Sequence, residues 1–345
     1  MRMVYADQMV GCPREPDDMT LSSSDRHTAD MPAHAALPRL AAPLLDEAIC
    51  CAGRVAAAGE PDGGPNSAVD GNADSHADSN ANADPELIHR YRVSLRQLRC
   101  LLWAYAPLLP AGMAHAWRTR LGTLADLAGP AREWAVLATE LAPHFLPEDP
   151  ARAQPLLRAL EQQVARETAA CRRAMRDAAP AAVLSSLRAT LADWSAVQDR
   201  SPPLDAFARQ RLRDAYRILR QRAARAAADA DAEAVAKAAA QADTGTRTLH
   251  RTRIAIKRVH YLTVLFAPAL ARPAARRVKS LRRLQLHLGR ANDTTVALML
   301  LDPSAPRLCG RHLRRLVRGR LSCLNSRYEA QARRALARAR KRLKP

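Results

Sequence analysis

Apolar residues along this chain return every three or four positions, the period of a helix with one buried face. Leu40, Leu44, Leu45, Ile49, Ala52 and Val55 predict a first helix that ends near Ala58. The same spacing predicts helices over about 85–106, 111–145, 151–178, 181–198, 204–226, 250–266, 273–300 and 304–342. The third of these breaks at Ala128-Gly129-Pro130, and Pro180 separates the fourth from the fifth. Asp84 stands as a candidate N-cap with Pro85 at the first helical position, and Pro107 and Pro110 close that helix. Ser201-Pro202-Pro203 is the strongest mid-chain punctuation. It divides a helical domain, 38–345, into halves at 38–200 and 203–345. Each half amounts to about four helices, which antiparallel bundling buries without a strand, so the fold class is all-α.

Three stretches lack this rhythm. Residues 1–37 read as a disordered acidic tail, and 59–85, rich in Gly, Asn, Asp and Ser, as a mobile insert. An Ala/Asp-rich link occupies 227–246. Asp70-x-Asn72-x-Asp74 opens like a calcium loop, but Ser75 stands where the loop needs Gly and Ala81 where it needs a bidentate Glu. No metal site and no cofactor is expected.

One helix occurs twice. Without a gap, His89 falls on His250, Arg92 on Arg253, Arg96 on Lys257, Arg99 on His260 and Pro107 on Pro268. Val93, Leu95 and Leu98 fall on Ile254, Ile256 and Val259. At about 100° per residue, His89, Arg92, Arg96 and Arg99 share a face, as do His250, Arg253, Lys257 and His260. Each copy thus presents a core face and a cationic face free of carboxylates. Such a stripe, taken singly, is usually a solvated surface; its repetition in register argues for a site.

The third helices also correspond. Leu121, Leu124, Gly129, Glu133 and Val136 match Leu281, Leu284, Gly289, Asp293 and Val296 with one residue of slippage. Only the second half adds a basic stripe here, Arg276, Lys279, Arg283, His287 and Arg290. Arg311, Arg314, Arg315 and Arg318 of the last helix offer another. The His250 half is therefore expected to carry more of any anion binding.

Composition sharpens that expectation. The net charge is +20, but residues 1–85 hold five Lys and Arg against 14 Asp and Glu, a net of −9. Residues 86–345 hold 49 against 20, a net of +29. A body so basic implies a polyanionic partner: nucleic acid, polyphosphate or an acidic membrane surface. Nearly all the cations are Arg, whose fork matches phosphate oxygens. The acidic tail and insert are expected to cover the cations when no ligand is bound. Seven cysteines without a C-x-x-C pair suit a reducing cytoplasm. The N-terminus lacks a signal peptide's apolar run, and no 18-residue apolar stretch predicts a membrane span.

With these motifs in view, the sequence resembles the CHAD family of conserved-histidine helical domains. The likeness rests on His-x-x-Arg-x-x-x-Arg-x-x-Arg at 89–99, with Tyr105-Ala106-Pro107 behind it. Its echo is His-x-x-Arg-x-x-x-Lys-Arg-x-His-Tyr at 250–261. Leu-Ala-Gly-Pro-Ala-Arg-Glu at 127–133, which contains Arg132, and Leu-Gly-Arg-Ala-Asn-Asp at 288–293 complete it. The resemblance covers about Leu40 to the C-terminus. It implies two four-helix bundles related by a pseudo-two-fold axis, with basic faces lining a central pore or groove. It also implies binding of inorganic polyphosphate in the bacterial cytoplasm at polyphosphate granules, or association with polyhydroxyalkanoate granules. Many family members carry a CYTH triphosphatase domain, and nothing here fits one. Glu133 replaces the family's usual Asp, and Gln97 interrupts the first Arg pair.

The expected ligand set joins Arg132 and Arg258 to the stripes above. Polyphosphate offers negative charge with no base to read, and a 4% aromatic content suits it better than single-stranded nucleic acid, whose bases stack on rings. No catalytic residue is expected, since no phosphate-cradling G-x-x-x-x-G-K-[ST] loop or H-E-x-x-H motif occurs. Glu133 and Asp293 are expected to orient arginines. The rival readings are a sequence-nonspecific nucleic-acid binder and a granule-surface scaffold.

Overall fold

The structure, a computed structural model, describes residues 29–58, 74–235, 239–270, 275–302 and 311–340, with side chains described outside 74–84, 230–246, 275–280, 311–312 and 340. The helices are α1 (Ala33–Ala57), α2 (Asp74–Tyr105), α3 (Met113–Leu127), α4 (Gly129–Val136), α5 (Pro150–Ala178), α6 (Pro180–Ala196), α7 (Leu204–Val235), α8 (Ala239–Leu265), α9 (Ala275–Leu300) and α10 (Arg311–Arg340). A π turn (Leu137–Leu141) and a last α turn (Ala142–Phe145) prolong α4. Among the described residues the only extended pairing is a bridge between Pro32 and Pro203. The fold is all-α, as the periodicity predicts.

Four boundaries differ from expectation. α1 starts at Ala33 rather than near Leu40 and runs through Pro38 and Pro43, so residues 33–37 belong to the fold and not to the tail. Pro38 has no N–H for the carbonyl of His34, and the Ser195 hydroxyl donates to that carbonyl instead, at 3.1 Å. The Ser201 hydroxyl accepts from the His34 N–H at 3.0 Å, and the Ala33 N–H reaches the Pro202 carbonyl at 2.9 Å. The mid-chain punctuation therefore anchors the first helix. α2 reaches back through Pro85 to Asp74, so Asp84 is no N-cap, and only 59–73 of the expected insert lie outside the described residues. α7 and α8 likewise extend into the 227–246 link, where alanine's high helix propensity outweighs its few apolar anchors. Residues 1–28, 70–73 of the calcium-like motif, and with them most of the expected acidic cover, lie outside the described residues.

α1 packs on α2 and α6, α2 on α3, α7 on α8, α8 on α9, and α9 on α10; α2 and α8 touch across the two halves. One apolar cluster runs from Leu37, Leu95, Leu98 and Leu121 to Ile256, Val259, Leu284 and Leu336, so the halves share a core. A second joins Trp134, Leu141, Phe145 and Leu160 to Leu301, Val317 and Leu321. At the ends of α2 and α8, Tyr105 and Phe266 lie 6.5 Å apart with Phe207 packed on both.

Candidate functional site

Helices α2 and α8 bring their cationic faces to one place. Leu95 and Leu98 on α2, and Ile256 and Val259 on α8, sit in the core at 1% exposure or less. That burial fixes the rotation of each helix and turns His89, Arg92 and Arg96 toward Arg253 and Lys257. Lys257 is the most confined cation. Burial depresses its pKa well below the ordinary lysine value, and Arg96, Arg253 and Arg92 press it the same way against partial support from Asp293. Among the described residues Lys257 has no hydrogen bond or ion pair within 4 Å. His89 is pushed down to about 4 by burial and by Arg132, Arg96, Lys257 and Arg92. Its imidazole is neutral at pH 7 in the unliganded protein.

Three arginines in the cluster are held by internal acceptors. Arg92 donates Nη1 to the carbonyl of Ala125 at 2.7 Å, in the last turn of α3, where the helix dipole is negative. Glu133 and Asp126 offset some of the burial and Arg96 repulsion that lower its pKa. The same Nη1 lies 3.2 Å from where a Cβ on Gly129 would stand. Gly129 thus allows the close approach of this guanidinium to the α3–α4 junction. Arg253 has Asp293 at 3.7 Å, and His250 Nδ1 pairs with Asn292 Oδ1 at 2.8 Å. Asn292 Nδ2 also donates to Asp293, at 3.3 Å. Arg132, on α4, donates to Glu140 at 3.0 Å, and Glu140 sits on the π turn, where burial and nearby Asp293 raise its pKa. π turns often mark functional positions because they re-aim one side chain within a helix.

The cluster therefore gathers His89, Arg92, Arg96, Arg132, His250, Arg253 and Lys257. Other expected residues are elsewhere. Arg99 and Arg258 adjoin a second group of arginines around Trp103 and Cys100. His260 is buried beside Tyr261, with ring centroids 5.7 Å apart, and burial and Arg282 lower its pKa. Arg290 lies 5.8 Å over the Tyr328 ring on α10, and His287 feels burial, Arg290 and Arg338. This face of α9 thus meets α10 rather than the α2–α8 cluster. Arg318 donates to the carbonyls of Leu298 and Leu301, a C-terminal cap on α9. Arg283 and Arg315 are exposed and Arg314 half-buried, while Arg276, Lys279 and Arg311 lie outside the residues whose side chains are described. Asn292 and Glu140 join the site without being among the expected ligands. Asn292 is legible only as part of the Leu-Gly-Arg-Ala-Asn-Asp motif, and nothing in the sequence marks the π turn that brings Glu140 to Arg132.

Such an arrangement can hold an extended anion against rigid helices. Among the described residues no three His, Cys, Asp or Glu side chains gather to hold a metal ion, and no helix is long and apolar enough to cross a membrane.

The family model for the CHAD domain matches residues 72–302, two thirds of the chain. The chain belongs to the CHAD domain family. The match begins near the start of α2 and ends after α9, so it contains both cationic faces. Among solved structures, the CHAD domain from the plant Ricinus communis superposes with a TM-score of 0.65 at 24% identity, covering 90% of this chain and 93% of that one. That likeness shows the CHAD fold. A comparison with curated proteins finds no match.

Proposed function

We propose that this protein binds inorganic polyphosphate, without catalysing its turnover, through the cluster of His89, Arg92, Arg96, Arg132, His250, Arg253 and Lys257, and that it does so at cytoplasmic polyphosphate granules. The observation that carries this reading is Lys257, confined among Arg96, Arg253 and Arg92 with no ion-pair partner of its own among the described residues. Confining like charges costs free energy in the unliganded protein, and an anion placed among them recovers it. A polymer with a charge on every unit and no base suits a site built of guanidinium, ammonium and imidazole groups on fixed helices.

Competition between long-chain polyphosphate and duplex DNA over a salt series tests it. Polyphosphate is expected to win by at least tenfold near physiological salt, and Arg96→Ala with Lys257→Gln to remove most of that margin. Neither side chain holds a structural hydrogen bond or ion pair among the described residues, so both changes spare the fold. Equal affinity for the two polymers, or indifference to the substitutions, would sink the proposal in favour of general polycation binding.

A further inference from the structure

Asn292 and Asp293, which hold His250 and Arg253, lie on a stretch of α9 with little apolar anchorage of its own. Leu284, Leu288 and Ala291 belong to the first core cluster. Ala297, and Leu301 just past the end of the helix, belong to the second. Between Gly289 and Val296 the buried side chains are Ala291 and Thr294. Side chains this small set the rotation of a helix poorly, because turning it costs them few contacts. α10 makes the same crossing in reverse, with Val317 and Leu321 in the second cluster and Ala332 and Leu336 in the first.

A polar node fills the crossing. Asn325 of α10 places Oδ1 2.7 Å from the Thr294 hydroxyl and 3.1 Å from the Thr295 hydroxyl, accepting from both. Its Nδ2 donates to Glu329 at 3.2 Å, one turn further along α10, and Arg333 pairs with that carboxylate at 3.9 Å. Thr294 is completely buried, so its hydroxyl meets protein and not solvent. Successive helix residues differ by about 100° in direction. Gripping Thr294 and Thr295 from α10 therefore sets the angle at which Asn292 and Asp293, directly before them, face α8. There His250 Nδ1 meets Asn292 Oδ1 at 2.8 Å, and Arg253 has Asp293 at 3.7 Å.

α9 does not need this node to satisfy its own hydroxyls. Thr294 has the Arg290 carbonyl at 3.0 Å, and Thr295 the Ala291 carbonyl at 2.9 Å, as acceptors within the helix. Such back-bonding suffices for a threonine in a helix. What Asn325 adds is a link between two helices at the level of the site. We infer that Asn325 is a positioning residue, which through Thr294 and Thr295 fixes the rotation of α9 that sets Asn292 against His250 and Asp293 against Arg253. Its effect on affinity rests on the polyphosphate reading above; the positioning does not.

The test uses Asn325→Leu, a side chain of similar size that cannot hydrogen-bond. Thr294→Val with Thr295→Val removes the same link from the other helix and serves if Asn325→Leu does not fold. Polyphosphate affinity, measured by isothermal titration, is expected to fall about fivefold in either variant. In a background of Asn292→Ala with Asp293→Ala, Asn325→Leu is expected to change it less than about twofold, because the groups it positions are gone. Nitrogen NMR of the His250 ring at pH 8 without ligand gives a reading independent of binding. The wild-type ring is expected to hold one tautomer, with the proton on Nδ1, and the variants to approach the mixture of a freely solvated imidazole. An unchanged His250 spectrum overturns the inference. So does, in protein that binds polyphosphate, an unchanged affinity or a loss equal with and without Asn292 and Asp293. If wild-type protein binds no polyphosphate while the His250 spectrum responds as described, the polyphosphate reading falls and the positioning role stands.

Discussion

Helices α2 and α8 present cations at corresponding positions and balance them by different means. On α2, Arg92 is held by a helix end: the α3–α4 break leaves the Ala125 carbonyl open, and Nη1 takes it at 2.7 Å. On α8, the neighbouring helix α9 runs unbroken through Gly289 and offers no such carbonyl. Arg253 instead faces the carboxylate of Asp293, and His250 the amide of Asn292. The central pair differs too. Arg96 carries a planar guanidinium, whereas at the matching position burial and the surrounding arginines lower the pKa of the Lys257 ammonium. The two helices thus present similar cationic faces while each finds its own counter-charge. One half draws on backbone geometry and the other on side chains.

The largest effect expected from this asymmetry is in the pH dependence of stability. His89 has a folded pKa of about 4, against the ordinary histidine value near 6.5 in the unfolded chain. Between those values the unfolded chain binds more protons, so stability is full above about pH 6.5 and falls as pH drops toward 4. Each tenfold change in proton affinity corresponds to about 1.4 kcal/mol, so the loss approaches about 3 kcal/mol. Denaturant unfolding at pH 7 and pH 4.5 should show this loss in wild-type protein and much less of it in His89→Gln. Equal losses in both would mean that burial and the neighbouring cations do not hold His89 neutral. Polyanion binding reverses the repulsion, so complex formation near pH 6 should take up a proton, read from titration heats in buffers of different ionisation enthalpy.

Next in size is Lys257→Met. Replacing a confined, unpaired ammonium with an apolar chain of similar length should raise stability in the absence of ligand, by about 2 kcal/mol at neutral pH. The same change should weaken polyphosphate binding. A site retained for function at a cost in stability predicts that pair of signs. A destabilised variant would instead assign Lys257 a structural role.

Much of this is legible in the sequence because helical period and charge period coincide. Burial of Leu95 and Ile256 dictates where Arg92 and Arg253 point, so the face shared by His89, Arg92 and Arg96 can be read from residue spacing alone. Helix ends are less legible. Alanine-rich stretches around 227–235 and 239–246 carry few apolar anchors, and the hydroxyl that compensates for the missing N–H of Pro38 comes from Ser195, far away in sequence. The second-half stripe fails as a guide to the site for another reason. His287 and Arg290 do share a helix face, but Tyr328 and Arg338 of α10 stand opposite it. Periodicity identifies a face without saying which neighbour it meets, and the extra binding expected of the His250 half draws on that face.

The smallest effect is also the most direct test of the contrast between copies, because it places one substitution at matching positions. A methyl group on Gly289 meets nothing within 4 Å inside a continuous helix, so Gly289→Ala should stabilise the protein by about 0.5–1 kcal/mol through reduced backbone entropy. On Gly129 the same methyl stands 3.2 Å from Arg92 Nη1, and the guanidinium must move by a few tenths of an ångström or release the Ala125 carbonyl. A lost charge-assisted hydrogen bond costs about 1.5–3 kcal/mol, a strained one less, and alanine's gain in the helix offsets part of either. Gly129→Ala should therefore come out destabilising by about 1 kcal/mol, opposite in sign to Gly289→Ala. It should also weaken polyphosphate binding through Arg92, where Gly289→Ala leaves it unchanged. Thermal unfolding of the two variants side by side decides the matter. Two changes of the same sign would mean that Arg92 does not depend on the α3–α4 junction, and the difference in how the copies hold their arginines would lose its basis.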